Sequence, residues 1–84
     1  MLTKQDRKNQ YKGIEEVFKR RRDNLSSCMV AVGSWTELAK LTGESVSMLV
    51  QVGGPAPVRT MGEKFARKIE QRLGLAAGWL DLKH

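Results

Sequence analysis

The sequence predicts an all-α domain, and three observations carry that prediction. Apolar residues recur at steps of three and four through the first third of the chain. The stretch from Ser34 to Val52 has the form helix, glycine break, helix. No run alternates apolar and polar residues as a half-buried strand would, and there is no internal repeat or low-complexity tract.

In chain order, Thr3 with Asp6 forms a capping pattern that opens a basic segment. Beyond it, Tyr11, Ile14, Phe18, Leu25, Cys28 and Val32 keep helical spacing, and Arg21 fills the missing step. The spacing predicts a helix through Val32, ended by Gly33. A break near Asp23-Asn24 is the alternative, because both residues favour caps over helix interiors. Residues 1–19 form a basic helical extension and residues 20–84 the domain proper. The run Lys19-Arg20-Arg21-Arg22 is either a solvated face or a phosphate contact.

The next helix starts at Ser34, which with Glu37 three residues on reads as a capping box. Leu38, Ala39 and Leu41 supply its apolar side, and small Ala39 lets a second helix cross closely. Gly43 follows, where a sharp turn with positive φ costs little only for glycine. A second short helix then buries Leu49, with Val46 and Val52 at helical spacing around it. Ser45, Ser47, Met48 and Gln51 are left on its outer face. Gly53-Gly54-Pro55-Ala56-Pro57 cannot continue a helix and forms a loop. Met61 to Lys64 opens another helix with an apolar stripe of Phe65, Ala66, Ile69 and Leu73, stopped by Gly74. Gly78-Trp79-Leu80 makes a last turn whose Trp79 and Leu80 close the core.

With 84 residues there is room for one core, and self-association is a natural supplement to its stability. Fifteen Lys and Arg against nine Asp and Glu give a net charge of +6, which suits a polyanionic partner, nucleic acid or an anionic membrane surface. The single cysteine, Cys28, allows no internal disulfide and fits a reducing cytosol. It reads as a small core residue, since the one histidine is the terminal His84. No cysteine-histidine cluster suggests a metal, no cofactor signature is present, no run approaches a membrane span, and no enzyme chemistry is visible.

From about Arg20 to Asp81 the chain resembles the lambda-repressor-like family, the Cro/CI-type or XRE helix-turn-helix proteins of temperate phages and their hosts. Residues Asn24 to Gly43 are similar to its first two helices, and G-E-K-F-A-R-K-I-E-Q-R-L-G-L-A-A-G-W-L-D, residues 62–81, to its fourth and fifth. The resemblance implies a five-helix domain that binds operator DNA, usually as a dimer, and represses transcription. The chain departs from the family at Trp35, where many members carry Gln. It departs again at Glu44, where many carry an aliphatic residue, and in a longer loop after the recognition helix.

The expectation is therefore a sequence-specific repressor, phage or prophage encoded and acting in the cytoplasm at the nucleoid. It would dock helix 3, about residues 45–52, in the major groove of double-stranded operator DNA as a homodimer or higher homo-oligomer. The resemblance places Ser45, Val46, Ser47, Met48 and Gln51 on the recognition helix. Gln51 can read adenine, the serines base or phosphate, and Val46 a thymine methyl; the alternative for Val46 is the core. Ser34, Trp35 and Thr36 start helix 2, whose free N–H groups face phosphate in this family. Arg59 and Lys64 flank the start of helix 4 and bracket further phosphates. Family repressors often carry a C-terminal self-cleaving peptidase domain. The chain shows none, which fits a short Cro-like protein, a stand-alone repressor or the N-terminal fragment of a longer one. An antirepressor protein is a further candidate partner. The competing class is a helical protein-interaction module, such as an antitoxin or a partner-binding regulator. A third reading, membrane-surface binding by the amphipathic basic N-terminal helix, is weakened by the shortness of its apolar face.

Overall fold

The computed structural model describes the backbone from Lys4 to His84 and the side chains from Glu15 onward. The proposed cap at Thr3 and the side chains of Tyr11 and Ile14 lie outside these described residues. Four α-helices follow in order: α1 (Lys4–Val32), α2 (Trp35–Thr42), α3 (Val46–Gly53) and α4 (Glu63–Leu73). A single 3-10 turn, Trp79–Asp81, closes the chain, and no strand occurs among the described residues. The count is thus four α-helices, with one 3-10 turn where a fifth was expected. Gly78 precedes that turn and Leu82 is already extended, which leaves three residues for it.

The expected extension and the first helix of the domain are one helix of 29 residues, with no break at Asp23-Asn24. Asn24 does not cap. Its Nδ2 donates to the carbonyls of Leu80 at 2.8 Å and Leu82 at 2.7 Å, which holds the C-terminal turn against α1. The helix ends at Gly33, whose N–H donates to Met29 O at 2.9 Å.

Leu25, Leu38, Leu49, Val52, Met61, Ala66, Ile69 and Leu80 form the buried core, with every α-helix contributing. Cys28, Met29, Val32, Trp35, Ala39, Met48, Phe65, Leu73 and Trp79 pack around it, partly exposed. Burial of Cys28 raises its thiol pKa, so it stays protonated as a small apolar residue would. Val52 and Gly53 end α3 against α1. A Cβ on Gly53 would lie 2.7 Å from Leu25 Cδ2, so glycine is what permits this approach.

Leu41 is 54% exposed and lies outside the apolar side of α2. Thr42 takes that place, one turn beyond Leu38, and is fully buried. Its hydroxyl meets its own needs, donating to Leu38 O at 2.9 Å and accepting from Glu44 N–H at 3.3 Å.

Polar groups join the two ends of the chain. Arg21 is buried and so leaves the exposed basic run expected of residues 19–22. Its Nη1 donates to Met61 O at 2.9 Å and its Nε to Asp81 Oδ1 at 2.6 Å. Glu70 of α4 is also buried, and its carboxylate accepts the N–H groups of Gly78 at 3.0 Å and Leu80 at 2.8 Å. Arg67 bridges the two acids, with Nη2 2.8 Å from Asp81 Oδ1 and Nε 2.8 Å from Glu70 Oε1. No helix is long and apolar enough to cross a membrane among the described residues.

Candidate nucleic-acid interface

The candidate site is built on the α2–α3 pair. Ser34 sits at the N-cap of α2 in an extended conformation, and its Oγ accepts the Glu37 N–H at 3.1 Å. Only this half of the capping box is among the hydrogen bonds formed. The Glu37 carboxylate turns instead to Lys40 Nζ, 3.3 Å away on the surface. Gly43 ends α2 in the left-handed region at φ 73°, where a side chain would be strained, and its N–H donates to Ala39 O at 2.9 Å. Two residues later Ser45 caps α3, its Oγ accepting the Met48 N–H at 3.1 Å. Two serine caps and one left-handed glycine therefore set the turn between the helices.

Ser45, Val46 and Ser47 are exposed at the start of α3. Val46 is 40% exposed and is not a core residue; Leu49 and Val52 hold the buried side of this helix. Gln51 is half-buried, with Nε2 donating to Ser47 Oγ at 3.1 Å one turn back. That contact orients both side chains on one face. Met48 packs partly against the core and partly faces solvent. Val50 is 36% exposed.

The loop after α3 is tied to it. Gln51 O accepts the N–H groups of both Val58 and Arg59, each at 3.0 Å. The Arg59 guanidinium therefore lies near α3, with Nη1 4.0 Å from Met48 Sδ. Lys64 is exposed in the first turn of α4. Neither cation forms an ion pair among the described residues, and Thr36 is exposed on the first turn of α2.

Trp35 stands apart from these. Its side chain is half-buried against the core and lines a surface groove with Met29, Gly53 and Pro55, so only its backbone belongs to the α2 N-terminus. Glu44 is largely buried and paired with Lys68 Nζ of α4 at 2.6 Å, which explains how an acid is held next to the turn glycine. The structure thus gathers Ser45, Val46, Ser47, Met48, Gln51 and Arg59 at α3 and leaves Ser34, Thr36 and Lys64 on neighbouring helix starts.

The sequence reading missed Arg21, Asn24, Thr42 and Glu70 as buried polar residues, and Asp81 as their half-buried partner. One of them had a visible signal: Arg21 occupies the one step of the apolar stripe not filled by an apolar residue. Asp81 is held below the usual carboxylate range, first by the hydrogen bond from Arg21 and then by that from Arg67, against the opposing effect of burial. Arg21, Arg67, Glu70 and Asp81 are structural, since their charges are spent on one another. Among the described residues no three His, Cys, Asp or Glu side chains gather as a metal site. Comparison with family models, with curated proteins and with solved structures finds no match to this chain.

Proposed function

We propose that the chain is a sequence-specific DNA-binding repressor with a lambda-repressor-like helix-turn-helix, of phage or prophage origin, acting as a dimer on double-stranded operator DNA. One observation carries the reading: three exposed small residues, Ser45, Val46 and Ser47, stand at the N-cap and first turn of α3, backed by Gln51 on the same face and by Arg59 beside it, which forms no ion pair among the described residues. A small first turn lets a helix approach base edges closely, and Gln matches the donor–acceptor pair of adenine. The net charge of +6 supports a phosphate-rich partner. The free N–H groups at the starts of α2 and α4 would take phosphates, with Thr36 and Lys64 beside them.

The test is binding to duplex DNA flanking the chain's own gene at two salt concentrations. A dimer making about six to ten phosphate contacts loses roughly a thousandfold or more in affinity between 50 and 200 mM salt. A flat response, or no binding at low salt, rejects the reading.

One observation favours the second class, a protein-interaction module. Val46 and Val50, one turn apart on α3, are 40% and 36% exposed and make an aliphatic ridge on the proposed reading face. Replacing both by Ser discriminates: a protein-binding face loses its partner, whereas a DNA reader keeps its salt-dependent affinity and loses base preference at one step.

A further inference from the structure

A groove of about 350 Å³ runs between α1 and the segment that follows α3. Phe18 of α1, Val52 of α3 and Pro57, Val58 and Met61 of the segment supply its apolar surface. Val58 is 76% exposed and is held in place by its own backbone hydrogen bond to Gln51 O. Lys19, Arg22 and Arg59 also line it, with Glu15 the one acid among the described lining residues. Lys19 and Arg59 form no ion pair among the described residues, and Arg22 has only its sequence neighbour Asp23, 3.3 Å away and exposed.

We infer that this groove is a docking site for an acidic segment of a partner protein that carries apolar side chains between its carboxylates. Charge complementarity selects the occupant. Three cations against one acid favour an anionic ligand, and bare phosphate has no use for a floor of Phe, Val, Pro and Met. The basic N-terminal segment of a second copy is disfavoured: residues 1–14 carry Lys4, Arg7, Lys8 and Lys12 against Asp6 alone. The volume lies within the range of about 300–1,000 Å³ in which proteins bury ligand groups, enough for apolar side chains but not for a whole helix. The inference rests on the groove's own chemistry; it shares Arg59 with the reading of α3, so Val58→Asp is the variant that separates the two.

The experiment uses the full chain and three labelled peptides of equal length, followed by fluorescence anisotropy. One contains Glu, Asp, Leu and Phe; the second is poly-Glu; the third repeats the first with Lys for each acid. The first should bind, the others should not, and Arg59→Glu and Val58→Asp should each weaken it by about tenfold or more. Circular dichroism confirms that each variant folds; both positions are exposed. Poly-Glu binding as tightly as the first peptide overturns the inference, because the apolar floor then does nothing. No binding of any peptide overturns it too. If Val58→Asp abolishes self-association or duplex DNA binding while leaving peptide binding unchanged, the groove belongs to a second copy or to DNA, and the inference is again wrong.

Discussion

Arg21 and Asp81 lie 60 residues apart in the chain and meet side by side, Nε to Oδ1 at 2.6 Å and Nη2 to Oδ2 at 3.2 Å. This two-pronged pair fastens the closing turn to α1. Arg21 also donates to Met61 O, so one side chain joins α1, the approach to α4 and the C-terminal turn. A part-buried polar link of this kind is costly to break from one side, because the abandoned partner stays largely desolvated.

Arg21→Met should therefore destabilise the fold by about 2–4 kcal/mol, read from the urea midpoint. The lower end is expected, because Arg67 still reaches Asp81 at 2.8 Å. A change within about 0.5 kcal/mol of zero would show that the pair contributes nothing net.

Acid should expose the same link. Asp81 is held below its ordinary value in the folded state, so its contribution is complete above the unfolded value of about pH 4 and fades as pH falls through the folded one. The stability difference between the parent chain and Asp81→Asn should be constant near neutrality and shrink toward zero in stronger acid. A difference that grows on acidification would mean the sign is wrong.

Two glycines should respond in opposite directions. Gly53→Ala drives a Cβ against the fully buried Leu25 side chain, which must shift within the core to admit it, and should cost about 1–3 kcal/mol. Gly62 caps α4 with no side-chain hydrogen bond, and a Cβ there meets nothing within 4 Å. Gly62→Ser should add a cap and stabilise by a few tenths of a kcal/mol. Thermal melts of the two variants on opposite sides of the parent chain are the expected result.

On DNA, Gln51→Ala should cost about 1–3 kcal/mol on the operator and little on random sequence, whereas Lys64→Ala or Arg59→Ala should weaken all sequences alike. Each lost phosphate contact should also lower the salt slope by about one unit per subunit. Equal weakening of both DNAs by Gln51→Ala would place that residue on the backbone and α3 in another orientation.

Removing residues 1–14 should leave the fold intact, since among the described residues the buried core draws on α1 at Leu25 and the long-range polar links at Arg21 and Asn24. If the helical spacing of Tyr11 and Ile14 serves a second copy, sedimentation should show a smaller assembly with an unchanged circular dichroism spectrum. An unfolded product would mean that these residues fold back onto their own domain.

Local chemistry was enough to place most of the helices. Ser34 as a cap, Gly33, Gly43 and Gly74 as stops, and the stripe of Phe65, Ala66, Ile69 and Leu73 act within one or two turns, so a linear reading finds them. The outward placing of Ser45 and Ser47 was legible for the same reason, whereas Val46 was left between the core and the outer face. Tertiary structure decided what spacing leaves degenerate. On α2, Leu41 and Thr42 are both near the apolar edge, and only the crossing of the other helices selected Thr42 for burial. The hydroxyl is tolerated because its hydrogen bonds stay within the local chain. In the same way Asn24 looks like a cap or surface residue, and Arg21 like a gap in the apolar stripe, until the C-terminal turn, with its carbonyls and Asp81, is laid against α1. A sequence displays the period of a helix, but the partner that makes a buried charge affordable comes from the far end of the chain, and only the packed fold brings it there.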